Sequence, residues 1–424
     1  MGPRPLLASL SLPSLEDPQC LEGTPVDRVL SQFLHLLATG TPGSSSTKAS
    51  LVQDLGAILE VASCQWLLRR DPTYASFGLL GKVADALCQY AAPSQQGGQP
   101  NSCADRGAAT SLVFCSILDK VDKAKDTEGL GTPVASAALH QITGPVFVFA
   151  ITHVAEQPWS NPRTRPKAQE VLEGLLRVSG CRSVPEFLRG AHDDQEGWFA
   201  EVMRYLKPEL TKETWQRNPA TKFAFASMLQ QVTRPWLSQH LENVLPPSLL
   251  LSDDYRVENK ILGVQCLHHI IRNVPAADLC QFNRVQVVNH ALSIHLYNKE
   301  PQVMQIVLLC ILDLLPILEK ASRQQSNDAP FVTPYDEVLQ LVLTHMEAEH
   351  QLSLRRVYAR NLPTFVERMT YHLSVLLKAL LRMMWDVATD RSSTPEPVKK
   401  ELLQRATECL LLLDHSTCGQ VKVS

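Results

Sequence analysis

Residues 251–273, LSDDYRVENKILGVQCLHHIIRN, constrain the fold more tightly than any other stretch of the chain. An acid, a base six positions later, then small and apolar residues at successive turns occur in the order Asp254, Lys260, Gly263, Cys266 and Leu267. In a pair of packed helices, a carboxylate at the start of the second helix accepts its orphan backbone N–H groups and meets the positive end of the helix dipole. The base then lies on the inner ridge of the stack, where it links one pair to the next. Small residues allow the two helices of a pair to approach closely. This order reads as the inner helix of a HEAT-type repeat, with Asp254 as cap, Lys260 as inter-repeat link, and Gly263, Cys266 and Leu267 as stacking positions. The register recurs at Gln305, Leu308, Ile311 and Leu312, a shift within the roughly 40–47 residues of HEAT and armadillo units. It recurs more faintly at Ala406, Cys409 and Leu410; in the second copy Lys299 stands where the capping Asp would be.

The remaining sequence repeats one grammar of amphipathic helix and polar loop. Val26, Val29, Leu30, Phe33, Leu36 and Leu37 make a first apolar stripe, GTPGSSSTK is a loop by composition, and helices are expected over 51–68, 74–90 and 108–123. No stretch carries the period-two alternation and hairpin signals of a sheet. The aromatic and β-branched run around Phe147, Val148 and Phe149 invites a strand, yet Leu139, Ile142, Val146, Phe149 and Ile151 fit helical turns on either side of Gly144 and Pro145. Further helices are expected over 168–178, 198–206, 221–232, 235–244, 285–297, 301–321, 335–346, 352–361, 365–389 and 398–414. The fold class is therefore all-α, a HEAT/armadillo-like helical-repeat solenoid. It comprises a mobile segment over 1–24, helical repeats over 25–250, the best-defined repeats over 251–320, a loop over 321–334 and C-terminal repeats over 335–424.

With 40 basic against 43 acidic residues in 424, the chain lacks the basic excess of a nucleic-acid surface, and no direct nucleic-acid partner is expected. Eleven scattered cysteines without a C-x-x-C pair read as reduced core thiols of the cytoplasm or nucleus. The N-terminus has a short apolar run broken by proline and no secretory cleavage site, and Leu6 stands where myristoylation needs Ser or Thr. The longest apolar runs, 306–318 and 374–384, contain Asp313, Lys378 and Arg382 and are too short for a membrane span, so a soluble intracellular chain is expected.

The chemistry-bearing residues form no catalytic pattern. His345 and His350 in HMEAEH are five apart with Met346 after the first, and His290 and His295 are also five apart; neither matches a metalloprotease helix. His268 and His269 are adjacent. Gly78, Gly81 and Lys82 give G-x-x-G-K, two residues short of a Walker loop and without its hydroxyl. No catalytic, metal or cofactor residue is assigned. Arg355, Arg356 and Arg360 form a basic stripe on one helix beside Tyr358, either a solvated face paired with Glu347 and Glu349 or a partner-binding ridge. Trp236, at the inter-helix corner after Arg234 and Pro235, is expected to pack in the core and support stacking.

Three blocks carry a family resemblance: residues 230–279, from QQVTRPW to VPAADL; residues 144–159, GPVFVFAITHVAEQPW; and residues 343–363, LTHMEAEHQLSLRRVYARNLP. They resemble the telomere-maintenance-two-interacting protein two family, the smallest subunit of the Triple T complex. The resemblance implies an adaptor without catalysis, partnered by two other Triple T subunits and by a heat-shock chaperone with its co-chaperone assembly. Its clients would be the phosphatidylinositol-3-kinase-related kinases, and through them DNA-damage, telomere and growth signalling. After Glu367 and Arg368 the chain reaches Tyr371 and LSVLLKALL sooner than the family pattern, as if about one repeat were missing, and CGQVKVS ends it early. A transport receptor of the importin kind is the rival adaptor, although such receptors are longer and more acidic. A metal-dependent hydrolase using the paired histidines is the rival enzyme.

Overall fold

A chain with helical periodicity and no alternating stretch has only helix faces to bury, and every regular element among the described residues is helical. The computed structural model describes residues 5–10, 21, 23–39, 45–68, 76–93, 100–190, 197–325, 334–367, 381–382, 384–385 and 395–420. The chain divides into two compact units, Met1–Val232 and Thr233–Ser424.

The first unit holds α1 (Pro5–Ser9), α2 (Val26–Thr39), α3 (Ser45–Val61), α4 (Cys64–Leu68), α5 (Ser76–Ala91), α6 (Pro100–Ala124), α7 (Gly131–Val154), α8 (Thr164–Ser179), α9 (Val184–Arg189), α10 (Phe199–Leu206) and α11 (Pro219–Gln230). Helix α7 is its centre, packed against α5, α8 and α10, while α6 lies against α3 and α8. The run from Ile142 to Ala150 is buried at every position, which accounts for its apolar, aromatic character without any strand. Phe149 meets Phe114 edge-on at 5.0 Å, and Phe147 stacks on Phe187 at 5.4 Å. Each such buried ring stabilises the unit by about 1.5–3 kcal/mol.

As expected from the helical turns on either side of Gly144 and Pro145, α7 is continuous through both. Proline removes one i→i−4 hydrogen bond and frees the carbonyl of Gln141. Helix α5 draws near at that point: a Cβ built on Gly81 would stand 3.1 Å from the Gln141 oxygen. Within the segment over 1–24, α1 buries Leu6 and Leu7 and the Leu6 N–H donates to Asp54 Oδ2 at 3.1 Å; most of the rest lies outside the described residues. At the start of α8 the Asn161 Oδ1 accepts the Thr164 N–H at 2.8 Å. Helix α8 ends at Gly180, whose φ of 72° is the left-handed conformation of a C-cap.

The second unit follows a 3-10 turn, Trp236–His240, with α12 (Leu241–Ser252), α13 (Val257–Asn273), α14 (Ala276–Cys280), the turn Gln281–Asn283, α15 (Arg284–His295), α16 (Pro301–Gln325), α17 (Pro334–Ala348), α18 (Leu352–Glu367) and α19 (Glu396–Gln420). Antiparallel neighbours α12 and α13, then α15 and α16, form pairs; α13 packs on α16, α16 on α18, and α18 on α19. That succession of inner helices is the HEAT-type arrangement. Most of the expected loop over 321–334 and of the expected helix over 365–389 lies outside the described residues, although α16 extends to Gln325 and α18 to Glu367.

Helices α7 and α16 are both long and apolar enough to cross a bilayer by length and composition. The expectation that the run over 306–318 is too short took no account of the helix continuing on both sides. In the structure, 67% of the most apolar window of α7 and 56% of that of α16 is buried against other helices. The cysteines whose side chains are described are all free.

His153, near the end of α7, is buried where Gly107 of α6 leaves room; a Cβ on that glycine would reach its Nδ1 at 3.0 Å. Burial lowers its pKa from 6.5 to about 4, against a hydrogen bond to the Ala91 backbone that favours the cation. The folded chain thus holds His153 neutral while the unfolded chain protonates it. Stability is full above about pH 6.5 and falls towards pH 4, by on the order of 3 kcal/mol for such a shift. Thermal melting across that range should show the loss, and His153→Gln should flatten it; an unchanged slope in the variant would assign the acid sensitivity to other groups.

Candidate functional site

The seam between α12 and α13 is built by small side chains. A Cβ on Gly263 would stand 2.1 Å from the backbone nitrogen of Ser252, so the two backbones meet with no room for a side chain. One turn along each helix, the Ser248 hydroxyl reaches the Cys266 thiol, which burial pushes up to about 12. Leu267, Val264 and Ile270 are fully buried beside it. Gly263, Cys266 and Leu267 thus lie together on the face of α13 that meets α12.

Asp254 does not cap α13. Helix α13 begins after Arg256, which supplies no side-chain cap, and Asp254 lies two residues earlier. Its buried carboxylate accepts the side-chain amide of Asn259 instead, which fixes the turn over 253–256 to the first turn of α13. A backbone that reaches helical geometry only at Val257 leaves the acid too early in the chain to meet the orphan N–H groups. Lys260 forms no ion pair among the described residues; its charge adds to burial in lowering the pKa of His295. The link between successive inner helices is made by other residues. His268 Nε2 of α13 meets Asp313 Oδ2 of α16 at 2.9 Å, and Arg272 Nε approaches the same oxygen at 3.9 Å. Trp236 is only half-buried, and the adjacent Leu237 is the residue fully enclosed in the core.

The basic stripe is split by the structure. Tyr358 is buried, so it lies on the core side of α18 and belongs to no exposed ridge. Arg356 and Arg360 share Glu401 of α19: Arg356 donates from Nε and Nη2 to Oε2 at 2.9 and 2.6 Å, and Arg360 Nε donates to Oε1 at 2.5 Å. Those bonds, that of Arg360 first, hold the Glu401 carboxyl below its ordinary range. Glu349 instead accepts the Gln351 N–H at 2.7 Å, and the Glu347 side chain lies outside the described residues. Arg355 flanks the pair, with its Nε enclosed and without a partner among the described residues.

The remaining histidines have other surroundings. His269 contacts Asn273, His295 is buried, His290 is exposed, and His345 meets the Tyr297 ring edge-on at 5.3 Å. Among the described residues, no three His, Cys, Asp or Glu side chains converge on a point that a metal would occupy. Lys82 is exposed on α5, a helix interior and not a phosphate loop.

An open groove of about 570 Å³ runs across the inner helices of the second unit. Gln265 of α13 with Gln302 and Gln305 of α16 line it, and Gln305 exchanges amide contacts at 3.3 and 3.4 Å with the buried Asn361 of α18. Sequence reasoning missed this groove and Glu401. Gln305 was visible as a recurrence of the repeat register, but its partner lies 56 residues away.

These features define an all-α protein of HEAT/armadillo-like helical repeats whose polar side chains tie helix to helix and whose inner face is open. No family model matches the chain. It is 45% identical to TELO2-interacting protein 2 of Homo sapiens, covering 98% of this chain and 92% of that protein. It is 43% identical to the Rattus norvegicus protein of the same name, covering 97% and 90%. The chain belongs to the TELO2-interacting protein 2 family. The human match extends over 477 aligned positions although this chain has 424 residues, so the relative carries residues within that span that this chain lacks. Among solved structures, Kap95p with RanGDP is similar at 14% identity and a TM-score of 0.42, covering 98% of this chain and 62% of that one. Importin beta crystallised with ammonium sulfate is similar at 12% and 0.42, covering 97% and 57%. At those values neither says what this chain binds.

Gly263→Ala places a methyl group into the Ser252 backbone, and no rotamer change relieves that clash. Overpacking of this kind costs about 1–3 kcal/mol, so the variant should melt several degrees below wild type. Gly263→Ala melting with wild type would show that the two helices separate freely at the seam.

Proposed function

We propose that this chain is a non-catalytic adaptor that assembles with TELO2 and the third Triple T subunit. In that assembly it helps an ATP-dependent heat-shock chaperone system mature and stabilise phosphatidylinositol-3-kinase-related kinases. One observation carries the reading: 45% identity, over 98% of this chain, to a human protein named for its interaction with TELO2. The helical repeats support it, because stacked helix pairs offer long surfaces to other proteins without a catalytic cleft. So does the use of the paired residues that the hydrolase reading needs: His268 is spent on Asp313 and His269 on Asn273. The adaptor works in the cytoplasm and nucleus, where its kinase clients are made and act.

Tagged chain expressed at low level in cells depleted of the endogenous protein should co-purify TELO2 and the third subunit. It should also restore kinase abundance, read by quantitative immunoblotting of several family members. A correctly folded chain that captures neither subunit, or that captures both and leaves kinase levels low, would overturn the adaptor or the maturation part of the proposal, respectively.

A further inference from the structure

Arg356 and Arg360 of α18 look onto the groove described above. Ile261 of α13, Ile306 and Leu309 of α16 and Val357 of α18 make an apolar strip along it, and Arg356 and Arg360 close one side. Among the described residues no carboxylate lines it. Leu309 is 41% exposed while Val307, Leu308 and Cys310 around it are fully buried, so a large apolar side chain stands outward on an otherwise well-packed helix. Two guanidinium groups share the single carboxylate of Glu401, so among the described residues one positive charge at this end of the groove has no carboxylate of its own. Glu401 engages Arg356 through Nε and Nη2 and Arg360 through Nε; Arg356 Nη1 and both Nη atoms of Arg360 have no partner among the described residues. Arginine forks of this kind take carboxylates by paired, charge-assisted hydrogen bonds.

We propose that this groove receives an amphipathic segment of a protein partner, apolar along the strip from α13 to α18 and carrying carboxylates at its arginine end. A volume of about 570 Å³ takes several side chains of such a segment, not a whole domain. The apolar strip supplies affinity by burial, and the arginines set direction and reject basic or uncharged segments. The proposal rests on the adaptor reading and assigns the partner-facing surface within it.

The test uses charge at fixed positions in the full chain, with the other two Triple T subunits, co-purified, as the probe. Leu309→Asp and Leu309→Lys remove the same apolar contact and differ only in charge. Ser353→Asp and Ser353→Lys repeat the comparison at an exposed, already polar groove residue whose substitution disturbs no core. Affinities measured by interferometry at low and at physiological salt should fall at least tenfold further for each Asp variant than for its Lys counterpart, with the gap narrowing as salt rises. Equal losses for Asp and Lys, a larger loss for Lys, or four variants that bind like wild type would each overturn the acidic-segment proposal while leaving the adaptor reading intact. Wild-type chain that fails to bind the probe would overturn the adaptor reading and the groove together.

Discussion

The second unit depends on the absence of one side chain. At Gly263 the backbones of α12 and α13 come so close that even a methyl group has no place, and the rest of that helix pair is arranged around this closeness. Close approach is what permits the Ser248 hydroxyl to reach Cys266 across the seam and what drives Val264, Leu267 and Ile270 fully out of solvent. The orientation of α13 then determines what it offers its next neighbour. His268 and Arg272, one turn apart, reach the same carboxylate of α16, and Ile261 and Gln265 are left on the open face. A single seam thus sets both the stacking of the inner helices and the composition of the groove that crosses them.

Much of this was legible in the sequence because it follows from periodicity and residue size. The all-helical class is such a local pattern; Cys266, Leu267, Leu308 and Ile311 are fully buried, and Gly263 lies where two backbones meet. What was illegible is pairing over distance. Asp313 is the sole charge in the apolar run over 306–318 and was read only as an obstacle to a membrane span; nothing local says that its half-buried carboxylate meets His268. Glu401 is likewise one acid among several on α19 until folding brings it to two arginines 41 and 45 residues earlier. Asp254 shows the opposite failure. Its residue type and position fit a cap, but the chain needs two more residues to reach helical geometry, so the carboxylate finds a side-chain amide in place of backbone N–H groups.

Tyr358 and Trp236 mark a second limit, because an aromatic residue in an amphipathic pattern can lie on either side of the boundary. Tyr358 was placed on a ridge and is buried; Trp236 was placed in the core and is half-exposed, with Leu237 taking the enclosed position. In both cases the helical phase of one or two residues decides, and the sequence around them offers apolar side chains on either side. The central helix α7 has no such ambiguity, since burial from Ile142 to Ala150 is continuous around the helix and any phase would enclose Phe147 and Phe149.

The arginine pair shows how one set of side chains serves the fold and leaves capacity over. A lone arginine matched to Glu401 would complete an internal ion pair and present nothing further. Two arginines on successive turns, both drawn to one carboxylate, hold α18 to α19 and keep donors directed away from that bond. Exposed ion pairs contribute little to stability, typically under about 1 kcal/mol, so a second guanidinium adds less to the fold than it adds to the potential of the groove. That asymmetry, together with Leu309 standing outward beside buried neighbours, separates this part of the inner face from the seams that only hold helices together.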